Sequence, residues 1–203
     1  AQRPFFYEHI PALMEQAMEE FHRLTGRRYG RIHTYETDDA DYLIVGQGSM
    51  VVQAEAVADY LRQTRKLKGG VVGITSFRPF PGDLIGRVLE GRKGVAVLER
   101  TDQPLAEDLP LMREIRATVS KSIENGIAAD GHLPWSDYAV YSSNTDIPVL
   151  YSGAYGLGSR DLQPEGVIAA VENMLDDGEK RKFFYLSIDF LHDSPDSPKQ
   201  ELY

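Results

Sequence analysis

A chain of 203 residues, 42% of them hydrophobic, with 22 basic against 31 acidic side chains and a formal net charge of -9, can bury one sizeable core. It is expected to form one domain with extensions rather than two full domains. The acidic balance opposes a general binder of nucleic-acid phosphates, which needs clustered Lys and Arg, and the lack of cysteine excludes disulfides, thiolate zinc sites and cysteine-ligated iron-sulfur clusters within this chain.

No apolar run approaches the roughly 20 residues that span a bilayer, and AQRPFFYEHIP lacks the basic-then-apolar pattern of a leader. With the absence of cysteine, this reads as a soluble chain of the reducing cytoplasm, with no membrane partner. The sequence starts at Ala1 rather than Met and stops at Tyr203 soon after an apolar stretch, which reads as a piece excised from something larger.

In chain order, HIPALMEQAMEEFHRLTG places Ile10, Leu13, Met14, Ala17, Met18, Phe21 and Leu24 on one helical stripe, with Gly26 as its stop. Residues 1–30 are therefore an amphipathic lead-in helix. After a polar, Asp-rich stretch, DYLIVGQGSM predicts a strand and turn, and VVQAEAVADYLRQTRK the helix that follows. The unit repeats as GGVVGITSF with PGDLIGRVLEG, and as KGVAVLER with LPLMREIRATVSKSIENG. IPVLYSG and FFYLSIDFL add two strands around the helix PEGVIAAVENMLDDG. Short apolar strands alternating with helices predict a three-layer α/β fold over residues 31–192, an open, mostly parallel sheet with helices on both faces. Residues 127–146 are too long and polar for an ordinary connection and read as a surface insertion. Residues 193–203, rich in Pro, Ser and charge, read as a linker tail.

Gly46, Gly48 and Ser49 follow a buried strand and precede a helix, where free N–H groups favour an anion. The third glycine of a dinucleotide fingerprint, the lysine of a phosphate loop and an acidic ribose partner are all missing. A packing turn is favoured over an anion turn, and NAD, NADP and ATP are expected not to bind. GAYGLGSR, Gly153 to Arg160, is a phosphate cradle, a loop that meets another domain's backbone closely, or a loop needing unusual dihedrals. The histidines show no metal spacing and no serine sits in a nucleophile elbow, so no catalytic residue and no metal ligand is assigned.

In SFRPFPGD, Pro79 biases Arg78 toward extended backbone and Pro81 can open the next helix, with Asp83 favourable in its first turn. Punctuation accounts for the prolines and leaves Arg78 at the carboxyl end of a parallel strand. The next strand ends Glu99-Arg100-Thr101-Asp102. Two arginines on one sheet edge are either surface groups paired with Glu99 or Asp102, or a polar edge docked against a neighbouring domain. Arg78 and Arg100 are expected to lie near each other there, with their main contacts made through that edge.

DYLIVGQGSM, GVVGITSFRPFPGDLI, GVAVLERTDQP and PVLYSGAYGLGSRDLQPEGVIAAVENM, in this order, resemble the second domain of the pyruvate:ferredoxin (or flavodoxin) oxidoreductases. In that family one strand ends in Arg-Pro-Phe, a later one in an acidic residue and Arg-Thr, and a glycine-rich loop precedes a Pro-led helix. The resemblance covers most of the chain from Ala1 to about Met174. It implies a domain like the C-terminal domain of transketolase, with Arg78, Pro79, Phe80, Arg100, Thr101, Tyr155, Gly156 and Arg160 on an interdomain or ligand edge.

It further implies a parent enzyme that oxidatively decarboxylates a 2-oxoacid to an acyl-CoA and passes electrons to ferredoxin or flavodoxin. Thiamine diphosphate, magnesium, coenzyme A and iron-sulfur clusters would be held by its other domains or subunits. This chain would bind none of them and, alone, would fold and be inert. Two departures stand out: DQPLAEDLPL lacks the glycines the family shows after Arg-Thr, and residues 127–146 are extra. The competing classes are a stand-alone nucleotide or phosphate binder and a non-enzymatic scaffold.

Overall fold

A computed structural model describes residues 3–128, 131–188 and 200–202. The elements are α1 (Arg3–Tyr7), α2 (Ile10–Thr25), β1 (Ile32–Tyr35), β2 (Tyr42–Gly46), α3 (Met50–Arg65), β3 (Gly69–Ile74), α4 (Gly82–Leu89), β4 (Gly94–Glu99), α5 (Pro110–Gly126), β5 (Leu150–Ala154), a 3-10 turn at Leu157–Ser159, α6 (Pro164–Glu172), β6 (Phe183–Leu186) and β7 (Gln200–Leu202). The strands form one sheet in the order β1-β3-β2-β4-β5-β6-β7. All neighbours pair in parallel except β1, which runs antiparallel to β3 with Ile32 opposite Ile74.

Strands β2, β3 and β4 are buried along their whole length, as parallel strands covered on both faces must be. One face packs Ile44, Val71, Ala96 and Phe184 against Ala54, Val57 and Leu61 of α3 and Val167 and Val171 of α6. The other packs Val45, Val72, Val95 and Val97 against Ile85 and Leu89 of α4 and Met112, Ile115 and Val119 of α5. The three-layer, mostly parallel arrangement expected from the strand–helix alternation is the one observed.

Three segments depart from the reading of the sequence. Ile32–Tyr35, placed in a polar stretch, is an edge strand with its middle two residues exposed. Antiparallel pairing to β3 recruits it despite its polarity. The tail expected to be a linker contributes Gln200–Leu202 as a parallel partner of Phe184–Leu186; its residues 193–199 lie outside the described residues.

The third is the insertion. Within residues 127–146, Ala139 and Tyr141 are buried in the α4–α5 layer, so the segment is built into the fold and not merely laid on its surface. Its polarity is consumed locally. The Asn125 side-chain amide donates to the carbonyls of Trp135 (2.8 Å), Tyr138 (3.2 Å) and Ala139 (3.1 Å) and its oxygen accepts from Trp135 N (3.0 Å). Tyr141 O–H donates to Gly86 O at 2.6 Å.

The lead-in helix α2 ends as expected at Gly26, whose φ of 75° is left-handed and whose N–H donates to His22 O. No helix among the described residues is long and apolar enough to cross a membrane.

Candidate functional site at the carboxyl edge

Strand β2 lies inside the parallel set, with β3 on one side and β4 on the other. The strand order reverses there, and in an open sheet the crevice at the carboxyl ends of such a pair is where ligands or partners are received. The motifs singled out in the sequence all lie on this edge.

The β2 turn is a close-packed one. A Cβ at Gly46 would overlap Met50 Sδ and lie 3.3 Å from Leu98 O, so Gly46 allows α3 to approach the sheet. Gln47, Gly48 and Ser49 are exposed, and Ser49 precedes α3 without a side-chain capping bond.

After β3, Ser76 is buried and its Oγ donates to Pro79 O at 3.2 Å. Phe77 and Phe80 meet edge to face at 6.1 Å and pack on the α4–α5 core. Arg78 projects from this loop, its side chain 61% exposed. Its Nη2 donates to Glu114 Oε1 and its Nη1 to Phe77 O, each at 2.8 Å, and its guanidinium carbon sits 4.3 Å from the Phe77 ring centroid. The carboxylate that holds Arg78 is therefore on α5, not Glu99 or Asp102, and its contacts within this chain are with its own domain.

The deeply held cation at this corner is Arg31, which the sequence reading passed over. Its side chain is 7% exposed. It donates from Nη1 and Nη2 to the two carboxylate oxygens of Asp83 at 2.8 and 2.5 Å, and from Nε to Glu15 at 2.8 Å. These partners hold the guanidinium above its ordinary pKa, the hydrogen bond to Asp83 foremost, against the opposing effect of burial. Arg31 O also accepts from Thr75 and Ser76 N. One residue thus pins α2, β3 and the start of α4 together.

After β4, the Glu99 carboxylate turns inward and accepts from Leu111 N (2.6 Å) and Met112 N (3.0 Å) at the start of α5. Burial raises its pKa, opposed by those two N–H groups. Arg100 is exposed and lies across Gly156, where a Cβ would sit 2.8 Å from Arg100 Cγ and Nε. Gly156 also has φ 68°, so both crowding and backbone select glycine.

Tyr155 is buried, donates its N–H to Glu99 O at 3.0 Å, and has its phenol pKa raised by burial, with Arg100 opposing. Thr101 and Asp102 are half-buried. Tyr185 O–H donates to Asp102 Oδ2 at 2.9 Å, and burial, with Asp102 second, pushes its phenol up to about 12. Arg160 Nη1 donates to Ser187 O at 3.0 Å.

Arg100, Tyr155 and Gly156 are brought together across the β4–β5 boundary. Arg78 and Arg100 share the edge on loops that follow β3 and β4, and β2 stands between those strands, which sets the strand ends about 10 Å apart. Beyond α5 a cleft of about 240 Å³ is lined by Asp108, Arg116, Lys182 and Phe183 among others, and Arg116 pairs with Asp108 at 2.5 Å. Among the described residues no cluster of three or more His, Cys, Asp or Glu could hold a metal ion. What the edge offers is exposed guanidinium and loop backbone on a rigid support, which suits contact with carboxylates or carbonyls of another surface.

Residues 40–132 match the family model described as pyruvate:ferredoxin oxidoreductase core domain II. The chain is 31% identical over 164 residues to a probable pyruvate-flavodoxin oxidoreductase of Escherichia coli (strain K12), covering 80% of this chain and 12% of that protein. It is 30% identical over 168 residues to the pyruvate synthase subunit PorA of Thermotoga maritima, covering 83% of this chain and 37% of the relative. Against the pyruvate:ferredoxin oxidoreductase of Moorella thermoacetica the figures are 28% over 179 residues, 88% and 13%.

Proposed function

This chain carries a core domain II of the pyruvate:ferredoxin oxidoreductase family, and from that premise we propose that it is a structural and docking domain of a larger 2-oxoacid oxidoreductase. The observation that carries the reading is the asymmetry of coverage: at least 80% of this chain is matched by relatives of which it is only 12% and 37%. The parent would oxidise pyruvate or a related 2-oxoacid to an acyl-CoA in the cytoplasm; pyruvate as substrate and flavodoxin or ferredoxin as acceptor are what the relatives' names say of them.

Thiamine diphosphate with magnesium, coenzyme A and iron-sulfur clusters belong to the parent in this proposal. The residues present here do not fit the clusters, because the chain has no cysteine. Nor do the described residues offer a metal-ligand cluster. The reading therefore assigns those groups to other domains and no step of the chemistry to this one. Arg78, Pro79, Phe80, Arg100, Thr101, Tyr155, Gly156 and Arg160 would form the edge that meets those domains. The nucleotide-binder alternative at Gly46, Gly48 and Ser49 lacks the third glycine and the acidic ribose partner of a dinucleotide site.

The test is expression of this chain alone and within its flanking polypeptide and partner subunits, each assayed for coenzyme A-dependent reduction of ferredoxin or flavodoxin by pyruvate and other 2-oxoacids. Activity in the larger assembly and none in the 203-residue chain is the expected result. Turnover by the chain alone, given thiamine diphosphate, magnesium and coenzyme A, would refute the docking role.

A further inference from the structure

Helix α2 is 16 residues long and has no buried side chain. A helix of that length is marginal in water unless a tertiary surface covers its apolar face. Its apolar residues divide into two adjoining stripes. Met14 leans on its own domain, with Ser76 Oγ 3.8 Å from its sulfur, and Ile10 and Met18, one turn to either side, are likewise half-buried. Leu13, Ala17, Phe21 and Leu24 make the second stripe, and it faces solvent, with Leu13 59% and Leu24 79% exposed. Phe5 and Phe6 of α1 add 67% and 62% exposed rings at one end. Single exposed apolar residues are ordinary; a contiguous run of them marks an interaction surface.

This stripe is held in place. Glu15 of α2 bonds the Arg31 that also grips Asp83, so α2 is moored to the carboxyl corner of the sheet while its outer stripe stays presented. Such preorganisation lowers the ordering cost of binding.

We propose that the outer stripe of α1 and α2 is the seat for an apolar face of a neighbouring domain of the same oxidoreductase. The inference rests on the core-domain reading above and names the surface through which that domain docks. One observation favours this occupant: this chain accounts for only 12% and 37% of its relatives, leaving most of each enzyme to supply the covering face. A second copy of the chain is opposed by its net charge of -9.

Amide hydrogen exchange tests it, measured on the 203-residue chain and on the longer polypeptide that contains it, each also as Leu13→Glu and as Leu24→Glu. The amides of α2 should exchange at least roughly 10-fold more slowly in the longer polypeptide. Either substitution should abolish that gain while leaving the unfolding midpoint of the 203-residue chain unchanged. Equal protection in both contexts would overturn the proposal. So would a concentration-dependent dimer of the short chain that Leu13→Glu dissolves, or co-sedimentation of the short chain with phosphatidylcholine–phosphatidylglycerol vesicles. Coenzyme A-dependent pyruvate oxidation by the longer polypeptide is scored separately: its loss with protection retained removes the enzymatic reading and keeps the docking surface.

Discussion

Arg31 and Asp83, far apart in the chain, meet in a two-point ion pair, Nη1 to Oδ1 at 2.8 Å and Nη2 to Oδ2 at 2.5 Å. The planar fork matches the carboxylate in a way a lysine could not. Because the guanidinium is buried, the pair is a fixed part of the fold, unlike the exposed Arg78–Glu114 pair on the same corner.

Arg31→Ala should therefore lower stability by about 3 kcal/mol, since it leaves the Asp83 and Glu15 carboxylates without their partner. Arg78→Ala should cost less than about 0.5 kcal/mol. Urea unfolding of the two variants decides the matter: a fall in midpoint at constant slope is expected for the first and almost none for the second. A large loss for Arg78→Ala would show that Arg78 serves the fold of its own domain and would remove it from the docking edge.

Glu99 ends β4 and receives two buried N–H groups of α5. Glu99→Ala should cost about 2 kcal/mol by leaving Leu111 and Met112 N–H unsatisfied. The acid form of Glu99 is favoured in the fold because burial raises its pKa. Its stabilising contribution is thus complete below the unfolded value of about 4.3 and declines as pH rises through the folded value. Midpoints collected across that window should show this decline in the native chain and its absence in Glu99→Gln.

Tyr185 gives the corresponding effect at alkaline pH. Its phenol ionises near pH 10 when unfolded and only at about 12 when folded. The contribution is whole below pH 10 and is lost as pH climbs through the folded value. Tyr185→Phe should flatten that alkaline loss, and a tyrosinate absorbance titration of the native chain should contain a late-ionising phenol that the variant lacks.

Gly126 touches the segment that reads as an insertion. A Cβ there would overlap the Tyr141 carbonyl, a backbone group that cannot swing aside, so Gly126→Ala should destabilise by about 3 kcal/mol. An unchanged melting temperature would mean that the segment packs only loosely against α5.

The parallel core was legible because strands buried on both faces must be apolar throughout, as YLIVG and GGVVGI are. IHTY was not, because an edge strand exposes half of its residues and carries no such run. At the carboxyl edge, Arg100 and Gly156 were found by motif, and the structure does place them in contact. Arg31 could not be found that way. It stands near Arg27 and Arg28 in GRRYGRIHTY, and only the distant Asp83 and Glu15 distinguish the buried arginine from its two exposed neighbours. The polarity of residues 127–146 misled for a related reason: Asn125, outside the segment, bonds the backbone of Trp135, Tyr138 and Ala139, a pairing no local composition reveals.

The position of β2 between β3 and β4 also bears on biosynthesis. A ribosome delivers β1, β2 and β3 before β4, and until β4 arrives one full edge of YLIVG has no partner. An unpaired apolar edge recruits other chains. A nascent or proteolysed product ending before Lys93 would accordingly be an aggregation seed, so the stretch between β3 and β4 is a hazardous place in this domain for a premature stop.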